Sequence, residues 1–139
     1  MWRSTAALIL AVASSGPAFA ASPAEGLWRT QTNNGEVRIS ECGQALCGHL
    51  VTSDRLKVDP AQKDGRNKDP AQRDRVLKGI VMLDGFTGGP EEWKGGKVYN
   101  PDDGGTYKGT IKMISPNQLK LTGCITWPLC KSQTWTRIE

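Results

Sequence analysis

Two cysteines and the chain's only histidine stand close together in the stretch "ECGQALCGHL", which runs from Glu41 to Leu50. Cys47 and His49 are two residues apart, so a strand would place both side chains on one face. That placement is the minimum that a Cys–His nucleophile pair requires. The same cysteine could instead hold a metal ion or close a disulfide, and either would remove the free thiolate that catalysis needs.

The number and spacing of the cysteines favour disulfides. Cys42 ends the run "VRISEC" and Cys47 opens "CGHLV", so a hairpin would set their sulfurs opposite each other. Cys124 and Cys130 bracket "ITWPL", in which Pro128 indicates a turn. Both spacings are longer than the C-x₂-C of most zinc sites, and export to an oxidising compartment favours oxidation. We therefore predict the pairs Cys42 with Cys47 and Cys124 with Cys130, and no metal.

Other groups that could do chemistry fit surface structure better. Glu91 and Glu92 are adjacent rather than facing, which does not suit paired acid–base work. The run from Asp102 to Gly105 lacks the alternating spacing of a calcium loop, and Pro-Asp-Asp-Gly at 101–104 is typical of a hairpin turn. The chain contains no G-x-S-x-G, H-E-x-x-H or phosphate loop. These observations predict a protein that is not an enzyme and needs no cofactor.

The first twenty residues have the pattern of a secretory signal peptide. Arg3 precedes an apolar run from Ala6 to Ala13, and Ala18 and Ala20 flank Phe19 in an A-x-A cleavage site. The apolar run is too short to span a bilayer, and no later stretch approaches the roughly 20 apolar residues that a membrane helix requires. We expect cleavage after Ala20 and a periplasmic or secreted protein without a membrane span.

The remaining chain, residues 21–139, has the length of one ordinary domain. The sequence carries 18 Lys and Arg against 14 Asp and Glu, a net charge of +4, and only Arg3 would leave with the signal. So small an excess does not indicate a nucleic-acid partner. The sequence leaves the oligomeric state open.

Short runs of alternating apolar and polar residues predict strands. In "YKGTIKMI", Tyr107, Ile111 and Met113 fall on one face, opposite the lysines and threonine. Turn residues separate about eight such runs: Leu27–Thr32, 34–40, Cys47–Thr52, Val76–Leu83, Gly96–Asn100, 107–114, 117–123 and Ser132–Ile138. A meander of this size buries its apolar face best by closing. We predict an all-β fold, a single antiparallel barrel of about eight strands, with a sandwich as the alternative.

One long, charged segment interrupts the strands, from Thr52 to Arg75. Its two copies of a motif, "DPAQKD" at Asp59 and "DPAQRD" at Asp69, each predict a one-turn helix that is capped by Asp and begins with Pro. Arg73 and Arg75 could fold over a barrel mouth and bind a carboxylate or phosphate group. Alternatively, Asp69 pairs with Arg73 as support for a short helix.

Residues in the first and last predicted strands indicate how the barrel closes. Trp28 lies in "GLW" of the first strand and Arg137 in "WTR" of the last, and these strands are neighbours in a closed barrel. The guanidinium could then lie over the indole face through a cation–π contact. This arrangement resembles the Gly-x-Trp and terminal Arg signature of lipocalin and calycin barrels.

A wider resemblance covers nearly all of residues 21–139. The ordered segments "GLWRT", "CGQALCGHLV", "NKDPAQRDRVLKGIVML", "WKGGKVYNPDDGGTYKGTI" and "LKLTGCI" with "SQTWTRI" resemble the bacterial exported family called domain of unknown function 2147. The resemblance implies a lipocalin-like barrel, an exported location and no established activity. Two features depart from the family pattern: Asn67-Lys68-Asp69-Pro70 replaces a common Asn-Pro-Asp-Pro, and Cys124-Ile125 replaces a usual Gly-Tyr pair.

These observations predict non-catalytic binding of a small, partly apolar ligand, such as a fatty acid or lipid-like amphiphile, inside the barrel. The expected ligand-binding residues are Trp28, Arg73, Arg75, Tyr99, Tyr107 and Arg137. Simple core filling is the competing interpretation for the aromatic members. The alternative function is an envelope protein-interaction, inhibitor or stress module acting through the charged loop 54–75. Enzyme activity would require Cys47 to be a free thiol.

Overall fold

The structure, a computed structural model, describes residues 8–12 and 21–139. Residues 8–12 form no helix or strand, and their large apolar side chains are exposed. The rest of the expected signal peptide, residues 1–7 and 13–20, lies outside the described residues, so its cleavage after Ala20 stays a prediction.

Eight antiparallel strands follow one another in chain order and close into a single barrel. The strands are β1 (Gly26–Arg29), β2 (Glu36–Cys42), β3 (Ala45–Thr52), β4 (Val81–Gly88), β5 (Glu92–Asn100), β6 (Gly105–Ser115), β7 (Gln118–Thr126) and β8 (Leu129–Arg137). Along most strands buried and exposed residues alternate, as expected where one face lines a core. The predicted all-β barrel is confirmed.

The meander gives the barrel two different ends. The open end carries the β1–β2, β5–β6 and β7–β8 turns together with the long connection from β3 to β4, residues 53–80. The closed end carries the β2–β3, β4–β5 and β6–β7 turns and the two chain segments that flank the barrel.

The barrel closes through a short seam between β1 and β8. Only two residue pairs join these strands, Trp28 with Arg137 and Arg29 with Thr136. The guanidinium carbon of Arg137 lies 4.3 Å from the centre of the Trp28 ring, so the predicted stacking is confirmed. The same guanidinium donates hydrogen bonds to backbone carbonyl oxygens of Pro23, Glu25, Pro116 and Glu139.

Large side chains fill the interior toward the closed end. Trp28 and Trp135 are completely or almost completely buried, and Trp93 is only 3% exposed. The Phe86 ring fits here because it lies over Gly109, where a Cβ would come within 3.0 Å of it. The remaining interior apolar residues complete one core: Ala24, Val37, Ile39, Leu46, Leu50, Leu56, Leu77, Ile80, Leu83, Tyr99, Ile111, Leu119 and Leu121.

The strand predicted at Val76–Leu83 is wrong in its first half. β4 begins at Val81, and the chain before it turns at Gly79, whose φ is +87°. Leu77 and Ile80 are both buried although they are three residues apart, a spacing that an extended strand would not allow on one face. The first residues of this apolar run therefore belong to the long connection, and only the last ones belong to the strand.

One of the two predicted one-turn helices is also wrong. The α-helix of the long connection, α1, spans Asp54–Val58 and ends at Asp59, because the Ser53 hydroxyl supplies an earlier cap by accepting from the Leu56 amide at 3.2 Å. At the second copy the prediction is confirmed: Asp69 accepts from the Ala71 amide at 3.0 Å and caps a 3₁₀ helix over Pro70–Gln72.

Both expected cysteine pairs lie at bonding distance. Cys42 bonds Cys47 across the β2–β3 hairpin, and Cys124 bonds Cys130 across the β7–β8 hairpin. The described residues include no free cysteine. Cys47 therefore has no thiolate with which to attack a substrate, and His49 is an exposed residue of β3.

We expect the seam to depend on Arg137. Arg137→Ala should lower the free energy of unfolding by about 3 kcal/mol, because it removes a cation–π contact and charge-assisted hydrogen bonds. Denaturant unfolding measures the change. Arg38→Ala is the control: its ion pair with Glu139 spans 3.6 Å between half-exposed side chains, and we expect less than about 1 kcal/mol. Equal losses in the two variants would contradict a special role for Arg137.

Candidate ligand site at the open end

Two adjacent cavities open at the end of the barrel that the long connection covers. The first, here called the apolar cavity, has a volume of about 420 Å³ and lies against β5–β8. The second, the polar cavity, has a volume of about 510 Å³ and lies under the long connection. They share a wall made of Met82, Asn100, Lys131, Gln133 and Trp135. A third cavity, of about 480 Å³, lies at the closed end beside Trp93.

The apolar cavity exists because the inward positions of β7 and β8 become smaller or more polar toward the open end. Leu121 and Trp135 form its floor, whereas Gly123 leaves space that a side chain would occupy. The other apolar lining residues are Met82, Val98, Ile125 and Leu129. Its size falls in the range of sites that bind small molecules.

Two tyrosines from β5 and β6 line the apolar cavity, and both hydroxyls are engaged. The Tyr99 hydroxyl donates to Asp64 at 2.5 Å, and that of Tyr107 donates to Asp103 at 2.5 Å. Burial, followed by the bond to the Asp64 carboxylate, raises the pKa of Tyr99 strongly. The hydrogen bond to Asp103 is the main cause that raises the pKa of Tyr107. Both phenols therefore stay neutral at physiological pH.

A buried carboxylate, Asp64, anchors the long connection to the barrel. Its side chain has no exposed surface. It accepts from the Tyr99 hydroxyl, from Nε of Arg75 at 2.9 Å and from the side-chain Nδ2 of Asn67 at 2.9 Å. The Arg75 guanidinium also lies 5.0 Å from the centre of the Tyr99 ring. Because these donors satisfy the carboxylate, it can remain buried.

The β5–β6 turn holds the connection at a second place. The Lys68 amide donates to the Gly104 carbonyl at 3.1 Å, and the Arg66 guanidinium donates to the Asp102 carbonyl at 2.9 Å. Gly104 has φ +72°, and a Cβ there would collide with the Arg66 carbonyl. The predicted hairpin turn at 101–104 is thus present, and it is a docking point for the connection.

The six expected binding residues fall into three places. Tyr99 and Tyr107 line the apolar cavity, whereas Trp28 and Arg137 close the opposite end. Arg75 pairs with Asp64, and Arg73 donates to the Asn67 carbonyl at 2.8 Å rather than pairing with Asp69. Neither arginine lines either cavity. Their ligand-binding role stays a prediction.

The structure adds functional candidates that sequence reasoning did not single out. Lys131 lines both cavities, and the polar cavity also contains Arg55, Lys63 and Arg66. Lys131 sits at an inward position of β8, in phase with Gln133 and Trp135, so its place in the strand could have identified it. Asp64 left no such signal, because the barrel residue that buries and bonds it, Tyr99, is 35 residues away in the chain.

Within the described ranges, no group of three or more His, Cys, Asp and Glu side chains is arranged to hold a metal ion. No helix in the same ranges is long and apolar enough to cross a membrane. The two disulfides are consistent with an extracytoplasmic location.

Comparison with known proteins assigns the chain to a family. A family model described as an uncharacterized protein conserved in bacteria (DUF2147) matches residues 26–137. The chain belongs to this family. Among solved structures, this DUF2147 chain is similar to protein HP1028 from the human pathogen Helicobacter pylori, which belongs to the lipocalin family. The two are 29% identical with a TM-score of 0.74 over 83% of this chain and 82% of that chain. A search of curated proteins finds no match.

The lipocalin-like fold of this DUF2147 chain suggests small-molecule binding, and it favours a binding protein over a catalyst. The resemblance noted from the sequence segments is therefore confirmed for both family and fold.

The docking of the long connection can be tested at Gly104. Gly104→Ala should lower the free energy of unfolding by about 3 kcal/mol, because it adds a clash with the Arg66 carbonyl to the strain of a positive φ. Gly43→Ala is the matched control: its φ is +67° but its Cβ would meet open space, so we expect about 1 kcal/mol. Denaturant unfolding compares the two, and equal costs would contradict the close approach.

Tyr99 should make stability depend on alkaline pH. Tyr99→Phe removes a donor to a buried carboxylate and should cost about 2 kcal/mol at pH 7. Because the fold raises the pKa of Tyr99, its contribution is complete below the unfolded-state pKa near 10 and is lost as pH rises toward the folded-state pKa. From pH 9 to 11 the wild type should lose about 1.4 kcal/mol more than Tyr99→Phe. The same pH dependence of the free energy of unfolding in wild type and Tyr99→Phe would refute this prediction.

Proposed function

We propose that the protein is an exported, non-catalytic binder of a small amphiphile, such as a fatty acid or a lipid-like molecule, in the cell envelope. The observation that carries this proposal is the apolar cavity of about 420 Å³ at the open end, with the cationic side chain of Lys131 in its wall. A ligand with an apolar tail and an anionic head matches that combination.

The apolar part of the ligand would lie along Leu121, Val98 and Met82, with Trp135 beneath it. Burying an alkyl chain against these residues contributes about 0.8 kcal/mol per methylene group. Such a gain depends on chain length, so affinity should rise along a series of fatty acids until the cavity is full.

The polar head would lie near Lys131. Its ammonium group is in no ion pair with any residue of 8–12 or 21–139, although it lines both cavities. Placing a carboxylate beside it would pair a charge that the fold leaves available. Tyr99 and Tyr107 complete the wall with neutral, already bonded hydroxyls.

The alternative of a protein-interaction module built on residues 54–75 has weaker support. Two arginines of this segment already hold it in place, since Arg75 pairs with the buried Asp64 and Arg55 with Asp102. A barrel without a cavity would have favoured this alternative.

Native mass spectrometry of the protein purified from the exported fraction tests the proposal. We expect a processed N-terminus at Ala21 and a stoichiometric amphiphile that solvent extraction releases and identifies. An apo mass that stays unchanged across a panel of fatty acids and lipids would count against binding and direct attention to loop 54–75.

Variants of Gly123 test where the ligand lies. A Cβ at Gly123 would make only an ordinary 3.5 Å contact with Tyr107, so Gly123→Ala should bind within about threefold of wild type. Gly123→Leu fills the cavity and should weaken binding at least about tenfold, in fluorescent fatty-acid displacement. Lys131→Gln should weaken a fatty acid about fivefold but leave its methyl ester unchanged. Normal binding by a folded Gly123→Leu variant would exclude this cavity.

A further inference from the structure

The turn between β7 and β8 exposes apolar side chains at the open end. Ile125 is 73% exposed, Trp127 83% and Leu129 64%, and we call these three residues the apolar tip. The other tryptophans that the structure describes, Trp28, Trp93 and Trp135, are at most 3% exposed. Several exposed apolar side chains at the end of one hairpin mark an interaction surface more often than a scattered single residue does.

The disulfide between Cys124 and Cys130 lies directly beneath the tip. It joins facing positions of β7 and β8, one pair before the last pair, Thr126 with Leu129, so it limits the conformations that the end of the hairpin can adopt. The apolar side chains are thus held at the surface by a covalent clamp. Such a clamp reduces the ordering cost of inserting them into a partner.

The strands beside the tip are basic and lack acidic residues. Between Gly104 and Ile138 the sequence has five Lys and Arg and no Asp or Glu. Lys108 lies opposite Cys124, next to the tip, and Lys112 lies directly opposite Lys120. Like charges placed directly across two strands are unfavourable by themselves. We call the outward lysines Lys108, Lys112 and Lys120 the basic wall.

The basic wall is not neutralised by neighbouring carboxylates. None of its three lysines is in an ion pair with a residue of the described ranges. Glu92 lies opposite Lys112 in β5, but its carboxylate is 3.9 Å from the ammonium of Lys94. An anionic partner would relieve the repulsion across this face.

We propose that the apolar tip and the basic wall dock the protein on the surface of an anionic lipid bilayer. Trp127 would enter the boundary between headgroups and acyl chains, where tryptophan is enriched in membrane-associated proteins, and Lys108, next to the tip, would face anionic headgroups. Lys112 and Lys120 lie nearer the closed end and would add long-range attraction. Three side chains on a hairpin are too few for a stable protein interface, which buries over about 1,000 Å². A second copy would bring two basic walls together.

Docking in this way turns the open end toward the bilayer, because the tip and the mouth of the apolar cavity share Ile125 and Leu129. The inference does not depend on the proposed ligand: it concerns the outer surface, and vesicle binding and fatty-acid binding are measured separately.

Co-sedimentation with vesicles tests the proposal, using protein from the exported fraction whose N-terminus is recorded by intact mass. We expect binding to equimolar phosphatidylglycerol and phosphatidylethanolamine, weak binding to pure phosphatidylcholine, and loss of binding as salt rises. Trp127→Ser should weaken binding about tenfold, whereas Trp127→Phe should stay within about threefold of wild type. Lys108→Gln should weaken it about fivefold, and adding Lys120→Gln should weaken it further by less than that, because Lys120 lies farther from the bilayer.

Matched controls use the opposite side of the open end. Val58 is 88% exposed on the long connection, so Val58→Ser should leave binding within about twofold. Lys57→Gln with Lys78→Gln removes the same charge from that connection and should weaken binding much less than the wall variant does. Equal loss in variants and controls, or absent binding to anionic vesicles by the folded wild type, would overturn the proposal. So would a concentration-dependent dimer that Trp127→Ser abolishes, since the tip would then bind a second copy.

Discussion

The seam between the first and last strands is the constraint on which the barrel depends. Strand β1 has four residues and makes only two pairs with β8, and backbone hydrogen bonds of Leu27 with Ile138 and Glu139 extend this short junction. Arg137 reinforces it because one guanidinium covers the Trp28 ring and donates to carbonyl oxygens of three segments, at Pro23 and Glu25, at Pro116 and at Glu139. The large aromatic side chains that pack behind Arg137 fill the interior at the closed end. The cavities of the ligand site therefore lie toward the open end.

The open end takes its shape from a buried charge. Asp64 could not lie in the interior without donors, and it obtains them from the long connection and from β5. The connection is consequently a fixed wall of the polar cavity, joined to the barrel at Asp64 and again at Gly104. Arg73 and Arg75, which the sequence predicts as ligand anchors, instead fix the conformation of the connection. The cation that remains in the wall of the apolar cavity is Lys131.

The proposals for the ligand and for the bilayer place two kinds of chemistry at one end of the molecule. The apolar cavity has Lys131 in its wall, and the hairpin beside it exposes Trp127 above a disulfide. A protein that takes an amphiphile from a bilayer, or returns it, benefits if its cavity opens toward the lipid, because the apolar tail then crosses less water. The basic wall, Lys108, Lys112 and Lys120, would supply orientation through long-range attraction.

Local patterns in the sequence were sufficient to predict most of the strands, because the alternation of apolar and polar residues is a property of each strand by itself. Such patterns were also sufficient to predict the two hairpin disulfides. They predicted the Trp28–Arg137 contact because the first and last strands of a closed barrel are neighbours. They misplaced the start of β4, because buried apolar residues such as Leu77 and Ile80 occur in a turn as well as in a strand. They also could not show that Ser53 would cap a helix before Asp59.

The sequence by itself therefore determined most of the strands, which depend on short-range periodicity, and the family, which depends on the order of the segments. Closure into a barrel rather than a sandwich joins Trp28 to Arg137, and the tertiary structure decided it. Only the tertiary structure decided which charges are engaged and which are available. Asp64 and Arg75 lie in one connection, but Tyr99 is in β5, and the three meet only when the connection packs on the barrel. The same holds for exposure: four described tryptophans look alike in the sequence, and the closed fold buries three of them and leaves Trp127 in water.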